Sequence, residues 1–193
     1  MDKNVYDHIA KDFANTRIHT WKWTDNFMQN ISRRSIILDI GSGNGRNLSY
    51  KDMIMFGIDI SIEQLKMGNN SSKNLIQGDM ISIPFKNHMF DYIISIASFH
   101  HLKTLEEKKL CLDEMKRILT PNGKILLSVW SINQPKKTKR TFSQYGDTIV
   151  YWKHIPRYYY IFNVQEITKL LQDYFIIENH IWDCGNEIFI LRK

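Results

Sequence analysis

An apolar run that breaks directly into alternating glycines, Leu38, Asp39, Ile40, Gly41, Ser42, Gly43, Asn44, Gly45, narrows the folds open to this chain more than any other stretch. Glycine reaches positive φ without the Cβ penalty and lets a backbone approach a ligand closely. A strand that ends in such a turn is built to cradle something flat or polar. A dinucleotide fingerprint would read G-x-G-x-x-G, but here the third glycine, Gly45, comes one position early and Arg46 follows. A pyrophosphate on a helix N-terminus is therefore not the natural occupant.

Four more Ile-rich runs follow the same style. Residues 35–40, 53–60, 75–78, 90–95 and 124–129 are nearly continuous in apolar side chains, as strands covered on both faces must be. Helix signals lie between several of them. Ser61 with Gln64, and Thr104 with Glu107, have capping-box spacing, and Cys111, Met115, Ile118 and Leu119 share one helical face before Pro121, Asn122 and Gly123 end the helix and turn the chain. Helices are expected over 3–14, 20–31 and 164–174, and a β-hairpin over 175–182 and 187–191. The expectation is an α/β fold: a parallel five-stranded core closed by a C-terminal hairpin, making a mostly parallel seven-stranded sheet.

At 193 residues and 23.0 kDa the chain suits one domain with a real core. We expect a single unit over 1–193, made of an N-terminal helical cover (1–34), a core (35–130), a basic-aromatic segment (131–160) and a C-terminal helix with hairpin (161–193). No apolar run approaches the ~20 residues of a membrane helix, and residues 1–10 carry three charges and no apolar stretch. These point away from a membrane and a secretory route, and toward the cytoplasm, with the nucleus also open. Cys111 and Cys184 make neither a disulfide framework nor a metal cluster, so no zinc is expected in this chain.

The net charge of +6 is concentrated: Lys136, Lys137, Lys139, Arg140, Lys153 and Arg157 stand against Asp147 alone within 135–160. Tyr145, Tyr151, Trp152, Tyr158, Tyr159 and Tyr160 are interleaved with them. Such a mixture suits RNA, whose bases can stack, and it equally suits a solvated basic loop.

Three acids stand at three strand ends. Asp39 precedes the glycine turn; Asp59 closes the second strand, beside Ile60, where a carboxylate can accept from both hydroxyls of a ribose; Asp79 with Met80 follows the third, an acid for an adenine amino group and a thioether to pack on the ring. Each residue alone has an ordinary use as a cap or core side chain. Together, and without a phosphate-binding Lys, they resemble class I S-adenosylmethionine-dependent methyltransferases, a Rossmann-like fold. The resemblance implies S-adenosylmethionine as cofactor, S-adenosylhomocysteine as product, and Asp39, Gly41, Gly43, Asp59, Ile60, Asp79, Met80 and Ile96 around it.

After the fourth strand the chain reads Ser95, Ile96, Ala97, Ser98, Phe99, His100, His101, Leu102. The Asp/Asn-Pro-Pro-aromatic motif of amino methyltransferases and the Pro-Cys nucleophile of cytosine-C5 enzymes are both missing there. The N-terminal stretch Val5, Tyr6, Asp7, His8, Ile9, Ala10, Lys11, Asp12, Phe13, with Asn15, Thr16, Arg17 and Trp21, resembles the tRNA wobble-uridine carboxymethyl methyltransferases, whose domain also occurs fused to AlkB-type dioxygenases. The likeness continues through Trp130 and the run Arg157, Tyr158, Tyr159. Ser42 departs from the usual Cys, and the long charged insert of some members is here only the segment 136–147.

What the resemblance implies is methyl esterification of 5-carboxymethyluridine. A carboxylate, with a pKa of about 4, is ionised at neutral pH and needs placement more than a strong base. Arg17 is expected to hold the acceptor, His100 or His101 to line the transfer site, and Tyr6, Trp21, Trp130, Arg157 and Tyr158 to touch the tRNA. A small zinc-binding activator protein is the implied heterodimer partner, through the edge strand at Leu75, Ile76, Gln77 and Gly78, which is apolar and unblocked. Two rivals stay open: a methyltransferase acting on a small molecule, and a non-catalytic subunit of the same fold.

Overall fold

The computed structural model describes residues 3–68, 74–138 and 141–193, without the side chain of Lys137, so Lys139 and Arg140 of the basic segment lie outside the described residues. Two helices come first, α1 (Lys3–Ala14) and α2 (Lys22–Gln29). Then β1 (Ile36–Ile40), β2 (Ile54–Asp59), β3 (Asn74–Gln77), β4 (Phe90–Ile96) and β5 (Leu119–Trp130) run parallel, and the C-terminal β8 (Ile176–Asp183) and β9 (Asn186–Arg192) join antiparallel. The sheet order is β3-β2-β1-β4-β5-β9-β8, the expected seven-stranded arrangement.

Alternation along the strands divides the core. Leu38 and Ile40 of β1 point to one face, where Cys111, Leu112, Met115 and Ile118 of α4 (Leu105–Ile118) and Ile167 and Leu171 of α5 (Val164–Gln172) cover them. Ile37, Ile94 and Leu126 point to the other, under Trp23, Phe27 and Met28 of α2. The Thr104 and Glu107 capping box forms in full at the start of α4. At α3 (Ile62–Met67) only half of the expected box forms: Ser61 Oγ accepts from the Gln64 N–H (3.1 Å), but Gln64 Nε2 donates to the Tyr6 carbonyl at 3.3 Å. Among the described residues no helix is long and apolar enough to cross a membrane.

The residues after the glycine turn form turns. One local expectation needs correcting. Pro121, Asn122 and Gly123 do not separate α4 from a later strand. β5 starts at Leu119, and these residues form a bulge between the pairs Phe90 with Leu119 and Tyr92 with Lys124. A Cβ on Gly123 would stand 2.5 Å from Leu119 Cγ, so the bulge needs that glycine.

Part of the basic segment is a ribbon. Residues 146–161 form two antiparallel strands, β6 (Gly146–Trp152) and β7 (Ile155–Ile161), outside the main sheet. Of its basic side chains, Arg157 is buried and Lys153 pairs with Asp12 of α1.

Candidate active site

The carboxyl ends of β1, β2, β4 and β5 open into one cavity of ≈ 490 Å³, roofed by α1 and the residues after it and closed on the far side by β7 and the β8–β9 turn. Ligand sites of open α/β sheets form at these strand ends. Gly41, Gly43 and Gly45 take φ of 73°, 54° and 66°. A Cβ on Gly41 would lie 2.4 Å from the Cβ of Ser98, so the first turn glycine is required twice over, by conformation and by space. Ser98 Oγ in turn donates to the Ile40 carbonyl at 2.8 Å. Opposite, Ala97 holds a positive φ of 54° at the end of β4, a strained position for a residue with a Cβ, and its N–H is fixed by Ser128.

Asp59 lies on the cavity wall, its Oδ2 accepting from the Gly43 N–H (2.8 Å) and its Oδ1 from the Ser61 N–H (2.9 Å). Burial pushes its pKa up, opposed by these backbone donors. An ionised carboxylate has about four acceptor sites, so these backbone bonds leave Asp59 with capacity for a ligand's donor. Asp39 is 1% exposed and lies beneath the turn rather than on the wall. Its Oδ2 accepts from Asn47 Nδ2 (3.1 Å), and it is Asn47 that faces the cavity. Burial raises the Asp39 pKa to about 7, against the pull of Asn47 and Arg46.

Ile60, Asp79 and Met80 lie together, but in a separate slot of ≈ 10 Å³ that shares Gly41 and Asp59 with the main cavity. That is room for about one water, so a ring would enter only if the slot walls part. Ile96 lines the main cavity directly.

At the other end the aromatic side chains meet. His101 lines the cavity, and His100 does not. His100 is wholly buried, its Nδ1 accepting the Trp130 N–H at 3.1 Å. His101 Nδ1 sits 2.9 Å from the Tyr158 carbonyl and so must carry the proton, which leaves Nε2 to accept from the Tyr6 hydroxyl at 3.0 Å. Burial and the nearby Arg157 push the His101 pKa down to about 3, against the Tyr158 carbonyl, so this imidazole is neutral throughout the physiological range. Burial and the Tyr159 hydroxyl hold the Tyr6 pKa well above its usual value.

Trp130 lines the cavity stacked on Tyr159, centroids 4.1 Å apart and planes within 9°. Trp21 and Arg17 stand on the roof side, Trp21 stacked on Trp23 and the Arg17 guanidinium 4.3 Å from the Phe13 ring centre. Arg157 is 4% exposed behind Tyr159 and Phe13, with Nη1 donating to the Tyr159 hydroxyl at 2.6 Å. Among the described residues no carboxylate lies within ion-pair distance of it, and its Nε has no hydrogen-bond partner.

The Tyr158 side chain points out of the cavity and donates to Asp147 at 2.6 Å, while Tyr159 takes the inner position. Strand parity carried that signal: Arg157, Tyr159 and Ile161 are buried, and Tyr158 and Tyr160 are not. Asn47, Gln64 and the turn Cys184, Gly185, Asn186 also line the cavity without having been singled out.

A family model described as a methyltransferase domain matches residues 38–127, the span from β1 into β5. A candidate methyltransferase of Encephalitozoon cuniculi is 33% identical over 178 residues, which cover 87% of this chain and 83% of that protein. The chain belongs to the class I S-adenosylmethionine-dependent methyltransferases. A tRNA (carboxymethyluridine(34)-5-O)-methyltransferase of Arabidopsis thaliana is 34% identical over 131 residues, 67% of this chain and 32% of that protein. The methyltransferase spans between a fifth and two thirds of the curated relatives that carry this name. Among solved structures, the complex of the Haloferax volcanii Trm112 methyltransferase activator with a methyltransferase aligns at TM-score 0.73 and 16% identity, covering 97% of this chain and 96% of that one.

The cofactor of this methyltransferase is S-adenosylmethionine, and the residues present fit it. Asp39 Oδ1, Ser42 Oγ and Asn47 Oδ1 are buried polar atoms without hydrogen-bond partners, gathered at the glycine turn where a cationic amino-acid end would need acceptors. Unpaired groups of this kind in a folded core mark a ligand's place.

Proposed function

We propose that this methyltransferase esterifies the carboxylate of 5-carboxymethyluridine at the wobble position of tRNA. One observation carries the reading: the imidazole on the cavity wall is not available as a base. His101 has both ring nitrogens engaged, and its pKa is pushed down to about 3. A hydroxyl acceptor would have to lose a proton to such a group as it attacks, whereas a carboxylate arrives ionised. The names of the relatives point to the same acceptor.

Bound S-adenosylmethionine supplies a methyl group made electrophilic by its sulfonium. Asp59 would hold the ribose hydroxyls, Asp79 and Met80 the adenine, and the Gly41 and Gly43 turn with Asn47 the amino-acid end, Asp39 acting through Asn47. On the acceptor side, Trp130, backed by Tyr159, would form a flat wall for the uracil. Arg17 and the buried charge of Arg157 would make the cavity favour an anion, since an uncompensated cation out of water gains most from a counter-charge. His101 and Tyr6 would orient and exclude water rather than move a proton. Placement of the oxygen against the methyl in a dry cavity supplies the rate.

The activator proposal rests on β3. It ends the sheet order with Leu75 and Ile76 half-buried, an edge that another chain can extend by strand addition.

The test is methyl transfer from labelled S-adenosylmethionine to tRNA carrying 5-carboxymethyluridine, with and without the activator. Label on tRNA that is released by alkali is the expected result. A methyltransferase that binds cofactor but puts no label on tRNA under either condition would refute the reading and move the acceptor to a small molecule.

A further inference from the structure

Helix α1 is fastened to both halves of the site. Toward the cofactor half, Asp7 Oδ1 accepts from the Ser61 hydroxyl (2.6 Å) and from the Glu63 N–H (3.2 Å). Ser61 is the N-cap of α3, and its own N–H donates to Asp59 Oδ1. Asp7 therefore caps α3 from outside: it satisfies a backbone donor of the first turn that the helix cannot, and it fixes the residue that holds Asp59. Gln64 Nε2 bonds the Tyr6 carbonyl, and Asn44 Nδ2 reaches the Arg17 carbonyl at 3.3 Å. Toward the acceptor half, the same helix places the Tyr6 hydroxyl on His101, the Phe13 ring 5.3 Å from Trp152, and Asp12 on Lys153 of the β6–β7 ribbon.

We propose that Asp7 is a positioning residue that ties closure of the α1 roof to occupancy of the cofactor's ribose site. The chain of contacts is Asp7 to Ser61 to Asp59 on one side and, one residue back along the helix, Tyr6 to His101 on the other. A ligand that bonds Asp59 stiffens Ser61 and hence the Asp7 anchor, and the anchored helix presents Tyr6 and Phe13 to the acceptor cavity. Cofactor therefore binds before acceptor, and the acceptor wall is completed only after it. The inference rests on the cofactor seat at Asp59 and not on the identity of the acceptor.

The test needs no acceptor. S-adenosylhomocysteine binding is measured for the wild type, Asp7→Ala and Asp7→Asn, together with tryptic cleavage within α1 at Lys11. Asp7→Ala is expected to weaken binding by about tenfold, the scale of a lost charge-assisted hydrogen bond to a part-buried site, and to abolish protection of Lys11 by the ligand. Asp7→Asn keeps an acceptor oxygen and is expected to stay within about twofold, with protection retained. Wild-type affinity in Asp7→Ala, protection that survives in it, or an Asp7→Asn as weak as Asp7→Ala would each overturn the proposal. Should Asp7→Ala not fold, hydrogen exchange on the wild type decides: the α1 amides and those of Ser61 and Gln64 must slow together on adding the ligand, and independent behaviour overturns it. If the ligand tests succeed and labelled tRNA fails, only the acceptor reading is lost.

Discussion

His101 and Asp39 should pull the pH dependence of stability in opposite directions, and removing either exposes the other. In the folded chain the His101 imidazole stays neutral down to about 3, while the unfolded imidazole takes up a proton near 6.5. Between those values the unfolded state binds more protons, so His101 makes the protein less stable as pH falls, by about 1.4 kcal/mol per pH unit. Asp39 does the reverse. Its folded carboxyl keeps the proton up to about 7, whereas the unfolded one loses it near 3.8, so stability falls as pH rises through this range, at about the same slope. Asp59, also raised by burial, adds to the Asp39 direction. Over pH 4.5 to 6.5 the two principal slopes nearly cancel in the wild type. His101→Gln, which keeps a donor and an acceptor, should instead lose about 3 kcal/mol of stability on going from pH 4.5 to 6.5, or roughly 5–10 °C in Tm. Asp39→Asn should gain stability over the same interval. Urea unfolding of the three proteins without cofactor at pH 4.5, 5.5 and 6.5 measures this. Parallel stability curves for the wild type and His101→Gln would refute the assignment of a buried, neutral imidazole.

Other expectations concern separate parts of the molecule. Gly41→Ala, with its Cβ 2.4 Å from Ser98 Cβ and φ at 73°, should cost about 2 kcal/mol or more and abolish cofactor binding; calorimetry and thermal melts check both. S-adenosylmethionine affinity should rise between pH 5 and 7.5 as Asp39 ionises beneath the cationic end, with proton release seen as buffer-dependent binding enthalpy; a flat profile contradicts the role given to Asp39. Arg157→Met should leave cofactor affinity unchanged and raise KM for a carboxylate acceptor by about tenfold or more, an outcome read by steady-state kinetics at saturating cofactor. Thr104→Ala breaks the capping box of α4 and should cost about 1 kcal/mol with no change in cofactor affinity.

The parts of this fold that were legible in the sequence share a cause. β1, β2, β4 and β5 are sealed on both faces, so burial alone dictates their runs of Ile and Leu, and the glycine turn is dictated by backbone conformation. The α4 cap and the C-terminal hairpin are set by local bonds between near neighbours. What escaped depends on tertiary context. Arg157 reads as a surface charge until Phe13, Trp152 and Tyr159 close around it. Tyr158 and Tyr159 differ only in parity, and the register against β6 decides which faces inward. Asp39 carries the same carboxylate whether it lies on the wall or under it, and the Asn47 amide that intervenes comes from an irregular turn whose path no local pattern reveals. Bulging of Pro121, Asn122 and Gly123 within β5 follows from pairing with β4, which no local pattern reveals.

Among the described residues the ribbon β6–β7 shares no ladder with the seven-stranded sheet and is held mainly by its inner face and the Lys153–Asp12 ion pair to α1. It is spliced between β5 and α5, both of which are anchored in the core without it. Ribbon and sheet are therefore joined by side-chain contacts rather than by a shared backbone ladder, so a change of register or sequence within the ribbon is not passed along hydrogen-bonded strands to those that carry the glycine turn and Asp59.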